Sequence, residues 1–252
     1  MSSQTRPATP VLRIPARFRG PSGSGNGGYV CGRVAGYVSA PATVTLRQPP
    51  PLDTDLAVER DDDGSVRVRG GGAVVAEARP AQDAPGPEIP SPVSPGQARA
   101  AAGRARYFQD PVFPGCFVCG PDREPGDGLR IFPGQVAGRE LWAAPWTPDS
   151  SLACPDGLTR AEIVWAALDC PSGIAAAEAA GLETAILLGR MTATLAARPV
   201  AGQECLIIAW PDGRDGRKLT ARSALVGPDG DVLATASALW LTVPGPASGG
   251  AP

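Results

Sequence analysis

The sequence predicts an α+β protein made of two similar halves, in which one apolar helix per half is enclosed by an antiparallel sheet. Three observations support this prediction. Each half contains one helical segment followed by short alternating strands, two strand motifs recur between the halves, and a stretch rich in proline, alanine and glycine separates them. A single helix cannot supply the repeated crossovers of a parallel sheet, so we expect the strands to run antiparallel around it.

The first half spans residues 1–80 and contains a helix predicted over residues 25–40, GNGGYVCGRVAGYVSA, which opens with a Gly-Gly turn. Alternation of apolar and polar residues predicts the strands that follow it. These strands cover residues 42–51, 55–62, 65–70 and 73–80. Residues 81–106 show little periodicity, and we expect a linker or a covering arm there rather than a core element.

The second half spans residues 107–244 and repeats this plan, with a helix predicted over residues 159–180 and a disordered tail over 245–252. Its predicted strands cover residues 186–199, 204–213, 218–227 and 231–243. The recurring motifs are Thr43-Val-Thr-Leu with Thr192-Ala-Thr-Leu, and Val74-Val-Ala-Glu-Ala with Val232-Leu-Ala-Thr-Ala. Internal similarity of this kind indicates a duplicated domain.

The composition limits the possible functions. A net charge of −2 and a pI near 5.3 give no sign of a nucleic-acid or membrane-surface partner. The sequence has no signal-peptide core and no apolar run long enough to span a membrane, so we expect a cytoplasmic protein. The chain has no histidine, which excludes Ser-His-Asp triads, Cys-His pairs and histidine metal sites.

The six cysteines are expected to be reduced thiols in a cytoplasmic protein. Cys116 and Cys119 have the spacing of a zinc knuckle, but a structural zinc site needs four ligands. Only a tertiary coincidence would bring Cys154 and Cys170 to this pair. The sequence therefore predicts no metal ion and no cofactor, and it favours small buried thiols beside a turn.

The predicted second-half helix carries acidic residues in an apolar run, LTRAEIVWAALDCPSGIA over residues 158–175. Helical spacing places Glu162, Trp165 and Asp169 on one face. A buried carboxylate is costly unless it has partners or a task, which makes Asp169 a candidate catalytic group. The structural alternative is that Asp169 caps a new helical segment that begins at Pro171. Glu162 has its own alternative, because acidic residues are favoured in a first helical turn.

Three segments resemble the double hotdog acyl-CoA thioesterases of the PaaI-like and TesB-like superfamily. Residues 26–38 are similar to the Gly-Gly helix start of the N-terminal hotdog in that family. Residues 116–132, CFVCGPDREPGDGLRIF, resemble the segment that leads into single-domain hotdog thioesterases, and residues 162–173 are similar to the hotdog helix. Arg160-Ala161-Glu162 stands where single-domain members often carry His-Gly-Gly.

The resemblance implies a double hotdog fold and an acyl-CoA or acyl-carrier-protein thioesterase, with Asp169 at the position of the catalytic carboxylate. The Gly27-Gly28 helix start would supply backbone N–H groups for the oxyanion, and Thr192 and Thr194 would hold the water. Glu162 is the alternative carboxylate.

The same reading makes Trp165 and Arg190 candidate substrate contacts, although a buried core tryptophan and a surface arginine are the simpler interpretations. Thr235 and Ser237 on the last strand are further candidates for holding the water. The expected partner is the acyl-CoA or acyl-carrier-protein substrate, with no nucleic acid and no membrane, and a homo-oligomer is left open. A non-catalytic hotdog module that binds an acyl thioester, or serves in assembly, is the alternative function.

Overall fold

The computed structural model of the protein describes residues 10–81 and 89–243. Within these residues a single 11-stranded sheet and four α-helices form the fold. The helices are α1 (Gly27–Ala35), α2 (Pro95–Ala102), α3 (Arg106–Gln109) and α4 (Ala161–Ala179). The first-half strands are β1 (Val11–Leu12), β2 (Ala42–Leu46), β3 (Leu56–Arg60), β4 (Val66–Gly70) and β5 (Ala73–Pro80). The second-half strands are β6 (Gly134–Gln135), β7 (Trp142–Trp146), β8 (Ile186–Leu195), β9 (Cys205–Asp215), β10 (Lys218–Val226) and β11 (Val232–Thr242).

The two halves join through an antiparallel pair of strands, β2 and β8, in the order β1-β3-β4-β5-β2-β8-β11-β10-β9-β7-β6. Thr43 lies directly opposite Thr192, and these are the first residues of the two Thr-x-Thr-Leu motifs. Equivalent residues face each other in this way when two similar units are related by a twofold axis. The predicted α+β duplication, with one central helix per half, is therefore confirmed.

The central helices α1 and α4 pack closely against each other. A Cβ on Gly28 would lie 2.3 Å from the Cβ of Asp169, and a Cβ on Gly32 would lie 2.6 Å from the Cα of Glu162. Only glycine allows so close an approach of the two backbones. Most of α4 is buried beneath β8 to β11, which explains why its sequence is apolar along most of its length.

Two local features differ from what the sequence pattern suggested. Helix α4 continues through Pro171, so Asp169 does not cap a new segment there. The expected linker contains α2, which buries Ala98 and Ala101 in a small cluster with Leu141 of the second half. The signals of this helix were present, because Ser94 and Gln97 form a capping box.

The structure also contains β1, β6 and β7, which alternation did not predict. The predicted tail 245–252 lies outside the described residues. No helix among the described residues is both long and apolar enough to cross a membrane.

Candidate active site

A cleft of about 1510 Å³ lies beside the N-terminus of α1 and the middle of α4. Its walls include Asn26 and Gly27 from the first half and Asp169 from the second. An apolar wall comes from Ile174, Leu188 and Trp240, together with other residues of the same elements. The cleft therefore brings the start of one central helix to the carboxylate of the other.

Asp169 is 1% exposed and is held by the opposite half of the chain. Its Oδ2 accepts hydrogen bonds from the backbone N–H of Gly28 at 2.8 Å and from Nδ2 of Asn26 at 3.0 Å. Its Oδ1 is buried and has no hydrogen-bond partner within the described residues. Two donors thus fix one carboxylate oxygen, and the other has an unused capacity to accept a hydrogen bond.

Burial raises the pKa of Asp169 from its usual value near 4 to about 7. The Gly28 N–H and the Asn26 amide oppose this shift because they favour the charged carboxylate, while the nearby Cys116 raises the pKa further. Desolvation is the largest of these causes, as expected for a carboxyl group in an apolar surrounding.

The start of α1 also presents a free backbone donor to the cleft. Asn26 caps this helix, and its Oδ1 accepts the N–H of Tyr29 at 2.9 Å. Asp169 occupies the N–H of Gly28, whereas the N–H of Gly27 has no acceptor among the described residues. Gly27 lines the cleft, so its N–H and the positive end of the helix dipole are available to a developing oxyanion.

Three thiols lie next to the carboxylate. The Sγ atoms of Cys116, Cys119 and Cys170 are all within 4.8 Å of one another, and Nδ2 of Asn26 is 3.6 Å from Cys170 and 3.8 Å from Cys116. Hydrogen bonds from Cys119 and Cys170 lower the pKa of the Cys116 thiol. The hydrogen bond that each of these two thiols makes with Cys116 raises its own pKa. The fold thus brings Cys170, but not Cys154, to the Cys116–Cys119 pair, which the spacing of the cysteines in the sequence does not predict.

Two residues predicted from the α4 face lie outside the cleft lining. Glu162 is part of the contact between α1 and α4, near Gly32, with Arg160 at 3.9 Å. Trp165 is 4% exposed and belongs to the core, where its Cβ packs near Gly32. The structure therefore places neither side chain beside Asp169 in the cleft.

Three residues predicted on β8 also lie away from the cleft lining. Met191 and Ala193 are buried in the core, so Thr192 and Thr194, which alternate with them, belong to the other face of the sheet. Thr192 bonds across the junction to Thr43, with 2.9 Å between the hydroxyl oxygens. Arg190 is exposed, and its Nε donates to the hydroxyl of Thr45 at 3.2 Å. Thr235 and Ser237 alternate in the same way with buried residues of β11.

Asn26 and Arg106 line the cleft, although the sequence pattern did not predict either residue there. Asn26 could have been found, because asparagine immediately before a Gly-Gly helix start is a common cap. Arg106 is exposed, lines the cleft and forms no ion pair with the described residues. Its segment lay in the region expected to be a linker, so no pattern pointed to it.

The site occurs once in the duplicated fold. Asp169 is the ninth residue of α4, and the ninth residue of α1 is Ala35. The first-half helix contains no acidic residue, so the position related by the duplication has no carboxylate.

Solved structures give the wider comparison. No protein-family model matches the sequence, and no curated protein matches it. The TesB protein of Mycobacterium avium subspecies paratuberculosis has a TM-score of 0.59 and 15% identity over 93% of this chain and 92% of its own. A protein of Alicyclobacillus acidocaldarius described as having a hot dog fold gives a TM-score of 0.56 and 14% identity over 94% and 93%.

The chain has the double hotdog fold. A further match of this fold is a proposed thioesterase from Novosphingobium aromaticivorans, with a TM-score of 0.57 and 16% identity over 93% of this chain and 95% of its own. All three matches extend over nearly the full length of both chains. The double hotdog fold assigned from the sequence resemblance is thereby confirmed.

Proposed function

We propose that this double hotdog protein hydrolyses an acyl thioester whose acyl group is carried by coenzyme A or by an acyl carrier protein. The observation that carries the proposal is the buried carboxylate of Asp169, which lines a large cleft together with Gly27, whose N–H has no acceptor within the described residues. The names of the structural relatives support the same class of reaction, because two of the three refer to TesB or to a thioesterase.

In the proposed reaction, Oδ1 of Asp169 accepts a proton from a water molecule as the water oxygen attacks the thioester carbonyl carbon. The N–H of Gly27 donates a hydrogen bond to the resulting oxyanion. The carbon–sulfur bond then breaks, and the protonated Asp169 returns its proton to the departing thiolate. The products are a free acid and a thiol.

The hydrogen bonds to Oδ2 support this division of roles. Gly28 and Asn26 hold this oxygen at 2.8 Å and 3.0 Å, so the carboxylate cannot rotate without losing both donors. Fixing a catalytic group before the reaction lowers the entropic part of the barrier. Gly28 is therefore assigned to position Asp169, and Gly27 takes the role of oxyanion donor.

The other walls of the cleft suit the two ends of an acyl thioester. Ile174, Leu188 and Trp240 offer apolar surface to an acyl chain. Arg106 lines the same cleft and is unpaired within the described residues, so it is a candidate partner for a carrier phosphate. Arg190, the residue that the sequence suggested for substrate contact, lies outside the lining.

The direct test is an assay of thiol release from acyl-CoAs of graded chain length. We expect turnover with a preferred chain length, because a cleft of limited volume accommodates acyl chains up to its own length. Saturable binding of acyl-CoA without release of free thiol would instead indicate the non-catalytic binding module. Neither binding nor turnover with any acyl-CoA or acyl carrier protein would contradict the proposal.

A further inference from the structure

The three thiols beside Asp169 form a cluster with the geometry of a metal site. A tetrahedral zinc ion with Zn–S bonds of about 2.3 Å separates its sulfur ligands by about 3.8 Å. The Sγ atoms of Cys116 and Cys170 are 3.7 Å apart, and Cys119 completes a set in which all sulfurs lie within 4.8 Å. Small side-chain adjustments are enough to bring this set to tetrahedral spacing.

The surroundings of Cys116 can hold a negatively charged sulfur. Nδ2 of Asn26 lies 3.8 Å from the Cys116 sulfur and can donate a hydrogen bond to it. The loop turns sharply at Gly120, where the N–H reaches the carbonyl of Cys116 at 2.9 Å and a Cβ would lie 2.4 Å from the same oxygen. Thiolates in metal sites are commonly stabilised by such outer hydrogen bonds.

We propose that Cys116, Cys119 and Cys170 bind one Zn²⁺ ion whose fourth position faces the cleft. Soft thiolate ligands favour zinc among the common divalent ions. All three cysteines line the cleft, so an exogenous ligand can take the remaining position, as in zinc sites with three protein ligands.

The zinc site joins distant parts of the chain. Cys116 and Cys119 lie in the loop before β6, whereas Cys170 lies within α4. The ion therefore fastens this loop to the central helix immediately beside the candidate carboxylate. The inference does not depend on thioester hydrolysis, because it rests only on the positions and chemistry of the thiols.

Metal content of the full-length protein tests the proposal. Protein purified under reducing conditions, loaded with Zn²⁺ and freed of excess ion should retain one zinc per chain by elemental mass spectrometry. Loading with Co²⁺ in place of Zn²⁺ should produce sulfur-to-cobalt charge-transfer absorption and the strong visible bands of a tetrahedral ion. Removing the zinc with a chelator should lower the melting temperature, and adding it back should restore it.

Matched variants locate the ligands. Cys116→Ser and Cys170→Ser should each lose the zinc, whereas Cys154→Ser should retain it, because Cys154 lies apart from the cluster beside Arg198. Differential alkylation of the wild-type protein provides a test that does not require the variants to fold. Bound zinc should protect Cys116, Cys119 and Cys170, and leave the reactivity of Cys154 unchanged.

Two results would overturn the zinc site. One is wild-type protein that retains less than a tenth of an equivalent of zinc after loading and has the same melting temperature with and without the ion. The other is zinc binding that survives in both Cys116→Ser and Cys170→Ser. Since each readout concerns metal binding, failure of the zinc site is distinguishable from absence of thioesterase turnover.

Discussion

The backbone N–H of Gly28 donates a hydrogen bond of 2.8 Å to Oδ2 of Asp169, across 141 residues of sequence. The donor belongs to the central helix of the first half, and the acceptor belongs to the central helix of the second. Asp169 thus serves as a second cap of α1, beside the cap supplied by Asn26. This contact makes the candidate site dependent on the correct docking of the two halves.

Replacing Gly28 with alanine should destabilise the protein. The new Cβ would lie 2.3 Å from the Asp169 Cβ and 2.8 Å from the Trp165 carbonyl oxygen, so the helices must separate. We expect a loss of about 1–3 kcal/mol in the free energy of unfolding, measured with urea. Gly36→Ala is the control, because its Cβ would have 3.5 Å to its nearest neighbour. Equal stability of the two variants would contradict the close packing.

Replacing Asn26 with serine separates its two roles. Serine can cap α1 as well as asparagine does, but it lacks the amide that donates to Asp169. We expect the melting temperature to stay close to that of the wild type while kcat for thioester hydrolysis falls about tenfold or more. Asn26→Ala removes the cap as well, and should cost about 1 kcal/mol of stability. Unchanged kcat in Asn26→Ser would show that the amide does not position the carboxylate.

Replacing Arg106 with alanine tests the carrier-phosphate contact. We expect KM for acyl-CoA to rise several-fold with little change in kcat, because the phosphates lie far from the reacting carbon. Acyl-pantetheine, which lacks the nucleotide phosphates, should show no such change. Arg190→Ala is the matched control, since Arg190 is exposed outside the cleft lining. A rise in KM with Arg190→Ala but not with Arg106→Ala would reverse the assignment.

The first half should not fold alone. Residues 1–90 without their partner would expose the β2 edge that pairs with β8 and the face of α1 that packs on α4. Open edges and apolar faces of this kind aggregate, and a domain of this size has little stability to spare. We expect this fragment to be insoluble or unfolded, measured by sedimentation and circular dichroism.

Co-expression with residues 91–252 is the control for the fragment, and it should recover soluble protein. A soluble 1–90 fragment that melts cooperatively would show that the halves are independent modules. It would also remove the reason for a site shared between Gly28 and Asp169.

The local pattern of the sequence predicted most of the fold. Alternating residues located β2 to β5 and β8 to β11 but not β1, β6 or β7, and the recurring Thr-x-Thr-Leu motif correctly indicated the duplication. Composition did not predict α2, because a short alanine-rich helix between prolines resembles a linker. Its capping box was the stronger signal, since Ser94 and Gln97 bond reciprocally to the helix start.

The candidate site was harder to predict because it depends on long-range contacts. Helical spacing predicted Asp169 as a candidate. It does not predict that Gly28 and Asn26 of the first half donate hydrogen bonds to its carboxylate. The approach of Cys170 to Cys116 depends in the same way on how the loop docks against α4. The sequence alone could have predicted which face of β8 carries Thr192 and Thr194. Met191 and Ala193 alternate with them and mark the opposite, apolar face.

The central claim is that the Asp169 carboxylate performs the hydrolysis, and kcat/KM of Asp169→Asn with the best acyl-CoA substrate tests it most directly. Asparagine keeps the shape and can still accept the Gly28 N–H, so the melting temperature should remain within a few degrees of the wild type. Turnover should fall about 10²–10⁴-fold, as expected for loss of a general base. Glu162→Gln serves as the control and should keep its activity. A folded Asp169→Asn variant with near-normal turnover would contradict the account and make Glu162 the candidate carboxylate.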